Sequence, residues 1–453
     1  MWLSQLFVTT ACASAAFGWN TFIVPHSPGQ DDTPALLKAL PDFAANSSIV
    51  FKKGVTYNLF TPISFPVLNN VEVVIEGNLT YPTDIPTVQE FSRALVRFSR
   101  PMLLGAPLTT NRLHFNGGSN VTLRGTTDPN WGWIDGHGQA WWDGQILDNR
   151  PHGISFGKIT NGVIRDMKLW KPVAWNFATS GSVNLHAFNN LGYDPITQTR
   201  ASSFKGFSAG GTNMLFERNF VQNGDDCLTV GSGAKDIVFK DSYCEGGHGL
   251  SIGSLGKDGQ VADVQNVLTL YGARFKSWTG GNGLARNITW RNIAFHDVPF
   301  PFLAATGTRM LRPRFFVVPH LILFQTGPKP NTASSNTHIQ DFLFENFVGD
   351  IRDVPYVEGS CVTDPCWYFV DNATGKEVAI FDLYPNTTSN IRTKKIFAKT
   401  QTGAPVDVMC DPEIVRASND SHQNVNRETP FQITNDVGFK CWDGHFVPTA
   451  TGF

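Results

Sequence analysis

The feature that most restricts this chain is a returning pattern, in which an Asn or Asp opens a short run of alternating apolar residues. Asn70 stands before Val71-Glu72-Val73-Val74-Ile75, and the opening recurs at Asn120, Asn161, Asn184, Asn213, Asp236, Asn266 and Asn287. From Asn161 onward the anchors lie about 21 to 30 residues apart, a spacing that marks stacked repeats. Alternation is the period of a strand with one buried face, and the Gly, Asn and Ser between the runs supply turns. Strands stacking at this interval, with no helical pattern between them, predict an all-β chain, a right-handed parallel β-helix. A β-sandwich is the alternative, although its turns come about every 8 to 12 residues.

At 453 residues the chain is long for one compact domain but ordinary for an elongated repeat fold. With 41% hydrophobic and only 16% charged residues it has apolar side chains for a large core and does not read as disordered. The formal net charge of -2 gives no general attraction to nucleic acid or to an anionic membrane. Any anionic ligand must therefore be held by local cations. The rhythm breaks between Pro299 and Asn336, which reads as a lid, an insertion or a gene-model error such as a retained intron, and resumes at His338-Ile339-Gln340-Asp341. The expected organisation is one β-helix domain over 17–350, closed by a disulfide-stapled cap of the same domain over 351–453, in a monomer.

The first sixteen residues, an apolar stretch from Trp2 to Val8 followed by Ala11-Cys12-Ala13-Ser14-Ala15-Ala16, read as a signal peptide cleaved near Ala13 to Ala16. A secreted, extracellular protein follows from that reading. No later stretch offers the roughly 20 continuous apolar residues that span a bilayer. Cleavage removes Cys12 and leaves Cys227, Cys244, Cys361, Cys366, Cys410 and Cys441, an even set that suits disulfides. Neighbours in sequence suggest 227 with 244, 361 with 366 and 410 with 441, among fifteen possible pairings. Zinc is the competing use of cysteine, but no paired C-x-x-C knuckles are present, and neither a metal nor a cofactor is expected. Sequons at Asn46, Asn78, Asn120, Asn287, Asn372, Asn386 and Asn419 fit passage through a eukaryotic secretory pathway.

Chemistry gathers in about fifty residues: Asn223-Gly224-Asp225-Asp226-Cys227, then Gly247-His248-Gly249, then Arg274-Phe275-Lys276. Glycosidic cleavage needs one carboxylic acid to protonate the leaving oxygen and one carboxylate to act from the other side. Fixed cations hold an anionic sugar in register. At about one turn per twenty-odd residues these groups fall on neighbouring rungs, about 4.8 Å apart, and Arg274 and Lys276 face the same side of one strand. Taken singly, an Asp-Asp pair is usually a solvated turn, a lone His structural and a basic strand merely exposed.

These residues, in this order, resemble glycoside hydrolase family 28, the polygalacturonases and related pectin hydrolases, whose motifs read Asn-Thr-Asp-Gly, Gly-Asp-Asp, Gly-His-Gly and Arg-Ile-Lys. The resemblance runs from about Gly54 to Phe347 and is nearest the fungal exo-acting branch, through Tyr271-Gly272-Ala273-Arg274-Phe275-Lys276-Ser277-Trp278. It implies a pectin-lyase-like solenoid and hydrolysis of α-1,4-galacturonosyl bonds of a pectic polysaccharide with inversion. It implies that Asp225 is the general acid, that Asp226 activates water, that His248 tunes the acid, and that Arg274 and Lys276 bind the sugar carboxylate. The first motif is missing. Counting back about twenty residues from Asp225 lands on Lys205 in Ser203-Phe204-Lys205-Gly206-Phe207, where the family has an aspartate, and Asn190-Leu191-Gly192-Tyr193-Asp194 does not restore the acid. A cation beside the acids lowers their pKa values by about 1 to 3 units, so the expectation is an impaired hydrolase or a pectin-binding homologue without turnover.

Overall fold

A computed structural model describes residues 19–89, 111–146, 149–193, 205–269, 273–278, 281–298, 301–308, 337–353, 374–382, 388–404, 406–410, 416–417, 432–435, 439–442 and 445–448. The chain winds as a right-handed parallel β-helix. Two of its faces merge into one 25-stranded sheet, because strands such as Asn111–Arg124, His152–Arg165 and Asn282–Val298 run on from one face to the next, and a 7-stranded sheet forms the third face. Apart from antiparallel pairings near the C-terminus, the rungs pair in parallel.

The anchors seen in the sequence have a conformational cause. Asn70, Asn120, Asn161, Asn184, Asn213, Asp236, Asn266 and Asn287 all take positive φ, between 54° and 58°, the left-handed region that Asn and Asp tolerate better than other side chains. Each turns the chain from one face of the 25-stranded sheet onto the next, and the stacked side chains then bond to one another. Asn184 Nδ2 donates to Asn161 Oδ1 at 3.0 Å, Asn213 to Asn184 at 2.8 Å, Asn266 to Asp236 at 2.7 Å and Asn287 to Asn266 at 2.8 Å.

Inside, each strand's inward positions fall in register with the next. Ile154, Phe177, Phe207, Leu228 and Leu250 are paired rung to rung, all within one continuous core. Phe177 and Phe207 stack with ring centroids 5.0 Å apart. Truncating such a ring to Ala costs about 3–5 kcal/mol, because a closed solenoid cannot collapse into the gap. A short helix, Thr33–Ala39, contributes Leu36 to the same core.

Stacking continues beyond the boundary expected at residue 350. Strand Thr388–Thr400 pairs in parallel with His338–Ile351, and Glu377–Asp382 with Phe302–Thr308. Inward Ile391, Ile396 and Phe381 carry the core with them, so the rungs reach into the segment read as a cap. The break in rhythm is partly filled as well, since Phe302–Thr308 pairs in parallel with Ala273–Trp278, with one register shift between Ser277 and Trp278, while 309–336 lies outside the described residues. The segment 1–16 read as a signal peptide, Cys361, Cys366, Asn372, Asn386 and Asn419 also lie outside them, as do the side chains of Cys410 and Cys441. Cys227 and Cys244 are bridged, with Cα atoms 6.0 Å apart. A loop of this size gains roughly 3 kcal/mol from closure, and this one ties the rung directly behind Asp226 to the third face.

Candidate active site

The turn that leads from the third face onto the cleft-bearing face carries the chemistry. Two residues before the inward Ile154, Phe177, Phe207, Leu228 and Leu250 stand His152, Trp175, Lys205, Asp226 and His248. They form one column across five rungs. The His152 and Trp175 rings stack at 4.6 Å, Lys205 Nζ lies 4.8 Å over the Trp175 ring and 3.7 Å from Asp226 Oδ2, and His248 Nδ1 is 4.0 Å from Asp226 Oδ1. Arg274 enters from a rung further along, paired in register with Ser251.

Asp226 is the hub. It is wholly buried, with Arg274 Nη1 at 3.6 Å, Lys276 Nζ at 3.6 Å and Lys205 Nζ at 3.7 Å, and the Ser251 hydroxyl donates to its Oδ1. Asp225 bends back beside it, its Oδ1 accepting the Asp226 backbone N–H at 2.6 Å and facing His248 Nδ1 at 3.3 Å. The glycines around His248 have separate duties. A Cβ on Gly247 would meet the Asp225 carbonyl oxygen at 2.1 Å, so a larger residue there would move the Asp225 backbone, while Gly249 takes a φ of +79°, which a side chain would strain.

Charge decides what these groups can do. Burial by itself raises both carboxyls. At Asp225 the hydrogen bond and charge of His248, with Lys205 and Lys276, outweigh it and hold the group below the usual carboxylate range. At Asp226, Lys276, Lys205 and Arg274 do the same against burial and the repulsion of Asp225. Burial pushes His248 down, although Asp225 opposes the shift. Burial and Arg274 bring Lys276 down to about 8 despite Asp226. Ligand atoms of Asp225, Asp226 and His248 lie within 4.8 Å of one another, but three cations already surround Asp226 and would repel a metal ion.

Sequence order had pointed to Asp225, Asp226, His248, Arg274, Lys276 and Lys205, and all six side chains meet here. Asn190, in the segment considered as a substitute first motif, is instead a buried structural group whose Nδ2 donates to Asn219 Oδ1 at 3.0 Å and to the Ile164 carbonyl at 3.2 Å. Trp175, His152 and Ser251 were not picked out from sequence. A signal existed for the first two, since each stands two residues before an inward apolar position, but using it required the register.

Comparison with known proteins agrees with this geometry. A family model described as "Glycosyl hydrolases family 28" matches residues 50–306. The chain belongs to glycosyl hydrolase family 28. Among its relatives, the "Probable exopolygalacturonase C" of Aspergillus terreus is 35% identical over 80% of this chain and 81% of its own length. That of Neosartorya fischeri is 33% identical over 92% of this chain and 89% of its own. In fold the chain is similar to an endo-xylogalacturonan hydrolase from Aspergillus tubingensis, with a TM-score of 0.66 at 19% identity, covering 92% of this chain and 99% of that one. It also resembles endopolygalacturonase I from Stereum purpureum, with a TM-score of 0.52 at 14% identity over 88% and 97% of the two chains. None of the described helices is long and apolar enough to cross a membrane.

Proposed function

We propose that this family 28 chain is a secreted, metal-independent hydrolase of α-1,4-galacturonosyl bonds in pectin, acting from chain ends with inversion and slowed by Lys205. Asp225 gives the proton to the leaving oxygen, Asp226 acts on water, His248 tunes Asp225, and Arg274 and Lys276 hold the sugar carboxylate. The observation that carries this reading is the convergence of Asp225, His248, Arg274 and Lys276 around Asp226, with the cations at 3.6 Å. Relatives named exopolygalacturonase support the end-wise action, and the leader-like start of the chain supports secretion. Reducing-sugar release from polygalacturonate, with the product anomer followed by NMR, is the test. Release of the monomer with inverted configuration, abolished in Asp225→Asn, is expected, whereas no release by folded protein, or release only with added metal, overturns the hydrolase.

One observation favours a second reading, a pectin-binding protein without turnover. Lys205 occupies the position where the family's first motif would bring a further aspartate, and its ammonium lies 3.7 Å from Asp226. A general acid has to hold a proton before it can deliver one, and both carboxyls here are biased towards ionisation. Salt-sensitive binding of oligogalacturonate without any hydrolysis is the result that separates this reading from the first.

A further inference from the structure

The asparagine ladder is interrupted at Asn120, and residue chemistry does not explain the gap. Along the ladder a side-chain nitrogen donates to the oxygen of the rung before it: Asn213 to Asn184, Asn184 to Asn161, Asn161 to Asn120 at 3.1 Å and Asn70 to Asn46 at 2.8 Å. Asp236 cannot donate to Asn213, because a carboxylate has no N–H. Asn120 has the donor and stands opposite Asn70 between the paired positions 69 with 119 and 71 with 121. Among the described residues, however, its Nδ2 donates to nothing and Asn70 Oδ1 accepts nothing.

A hollow of about 350 Å³ opens at this gap, walled by Asn70, Asn120 and Asn161 of the ladder, by Glu72 and Thr122, and by Trp19. That is enough for a small ligand, whose clefts run from about 300 to 1,000 Å³. Trp19 is half exposed, at 50%, and its Nε1 donates to Ser48 Oγ at 2.7 Å, so the indole is fixed by its polar edge while much of its apolar surface stays uncovered. Asn120-Val121-Thr122 is a sequon. The nitrogen that the ladder leaves unused is therefore the one to which a glycan is joined, and it lies in the wall of the hollow.

We infer that Asn120 carries an N-linked glycan whose first N-acetylglucosamine fills this hollow and packs against Trp19. The inference rests on the reading of the chain as secreted. The donor is a lipid diphosphate oligosaccharide: the bond from its sugar C1 to the diphosphate oxygen breaks, a bond from C1 to Asn120 Nδ2 forms, the nitrogen gives up one proton and the lipid diphosphate leaves. Asn120 Oδ1 is untouched and keeps the bond from Asn161. The C–H face of the sugar suits the indole, which offers a large apolar area, and its hydroxyl and acetamide groups suit the amides, Thr122 and Glu72. Asn46 has a sequon too but does not line the hollow. A sugar seated here ties Trp19, and with it the terminal strand Asn20–Ile23 that pairs with Ala45–Phe51, to the rungs that follow. A covered edge strand is a poorer template for another chain.

The test uses the full chain secreted from a eukaryotic host, with glycopeptide mass spectrometry for occupancy and hydroxyl-radical footprinting for the exposure of Trp19. Asn120 is expected to be occupied, and Trp19 to lose most of its labelling relative to Thr122→Ala, which removes the sequon but keeps the Asn120 amide. Thr122→Ser keeps the sequon and should behave as wild type. Trimming with an endoglycosidase that leaves one N-acetylglucosamine should preserve the protection of Trp19. Thr122→Ala and Trp19→Ala should each lower the thermal midpoint, and the double variant should fall by less than the sum of the two, since both break one contact. A bare Asn120 in a chain glycosylated at other sequons overturns the inference and leaves secretion intact. A chain that is retained in the cell and bare at every sequon overturns the secretion reading and this inference with it. An occupied Asn120 with Trp19 labelled equally in wild type and Thr122→Ala overturns the packing.

Discussion

Two turns of the same solenoid, each repeated rung after rung, have been put to opposite uses. At the anchor turn the residue is nearly constant, Asn after Asn in the left-handed conformation, and identical amides bond along the stack. At the cleft turn, in equally regular register, the residue changes at every rung, from His152 through Trp175, Lys205 and Asp226 to His248. A repeating fold delivers neighbours at a fixed separation of about 4.8 Å. Like neighbours make a structural ladder, and unlike neighbours make a site with opposed charges and displaced pKa values.

Mutations should separate the two turns, and the largest effect belongs to the cleft. Asp226→Ala leaves Lys205, Arg274 and Lys276 together without their shared counter-charge. Removing one partner of a buried ion pair costs about 3–5 kcal/mol, so a marked fall in the denaturation midpoint is expected. Hydrolysis, if present in wild type, should drop by about 10²- to 10⁴-fold. A variant as stable as wild type would contradict Asp226 as the electrostatic hub.

Lys205→Asp supplies a further carboxylate and removes a cation in one step. Turnover of bound polygalacturonate is expected to rise by about 10²-fold or more, while the affinity for free-acid oligomers falls. Raised pKa values at Asp225 and Asp226 should also carry the alkaline limb of the pH–rate profile upward. Unchanged turnover from an active wild type would show that Lys205 does not limit the reaction.

The pH dependence of stability sharpens the contrast further. Asp225 and Asp226 have folded pKa values below their ordinary 3.8, so the unfolded chain takes up protons first as the solution is acidified. Their contribution is therefore complete above about pH 5 and is lost as pH falls through 3.8 and below. Asp226→Asn should show a shallower acid loss of stability than wild type, measured by denaturant midpoints between pH 6 and pH 3. A ladder variant such as Asn184→Ala should keep the wild-type slope, since no titrating group is removed.

Asn184→Ala should cost about 1–2 kcal/mol, because alanine resists the left-handed conformation, and it also loses the amide bonds to Asn161 and from Asn213. Asn184→Gly keeps the backbone and should cost less. Neither should change turnover or oligogalacturonate binding; a ladder variant that does would tie the two turns together. The smallest effect concerns Asn287, whose Nδ2 already donates within the ladder at 2.8 Å. Glycan mapping of protein from a eukaryotic host is expected to find this sequon bare, and full occupancy would contradict the ladder at that rung.

The sequence by itself determined the architecture and pointed to most of the side chains that meet at the candidate site. Each rung repeats the same local solution, an Asn or Asp at the left-handed turn followed by alternating apolar positions, and local preferences that recur can be read without knowing what lies opposite. Asp225, Asp226, His248, Arg274 and Lys276 were legible because they stand in short motifs in a fixed order. The extent of the stack was less so: inward Phe381, Ile391 and Ile396 sit among cysteines and sequons that suggested a cap. Only the tertiary structure decided that Lys205, Arg274 and Lys276 all meet one buried carboxylate, and that Trp175 and His152, over thirty residues before Lys205 in part, stand behind it. Such contacts depend on register between strands remote in sequence, and a shift of one residue would turn each of these side chains to the other face.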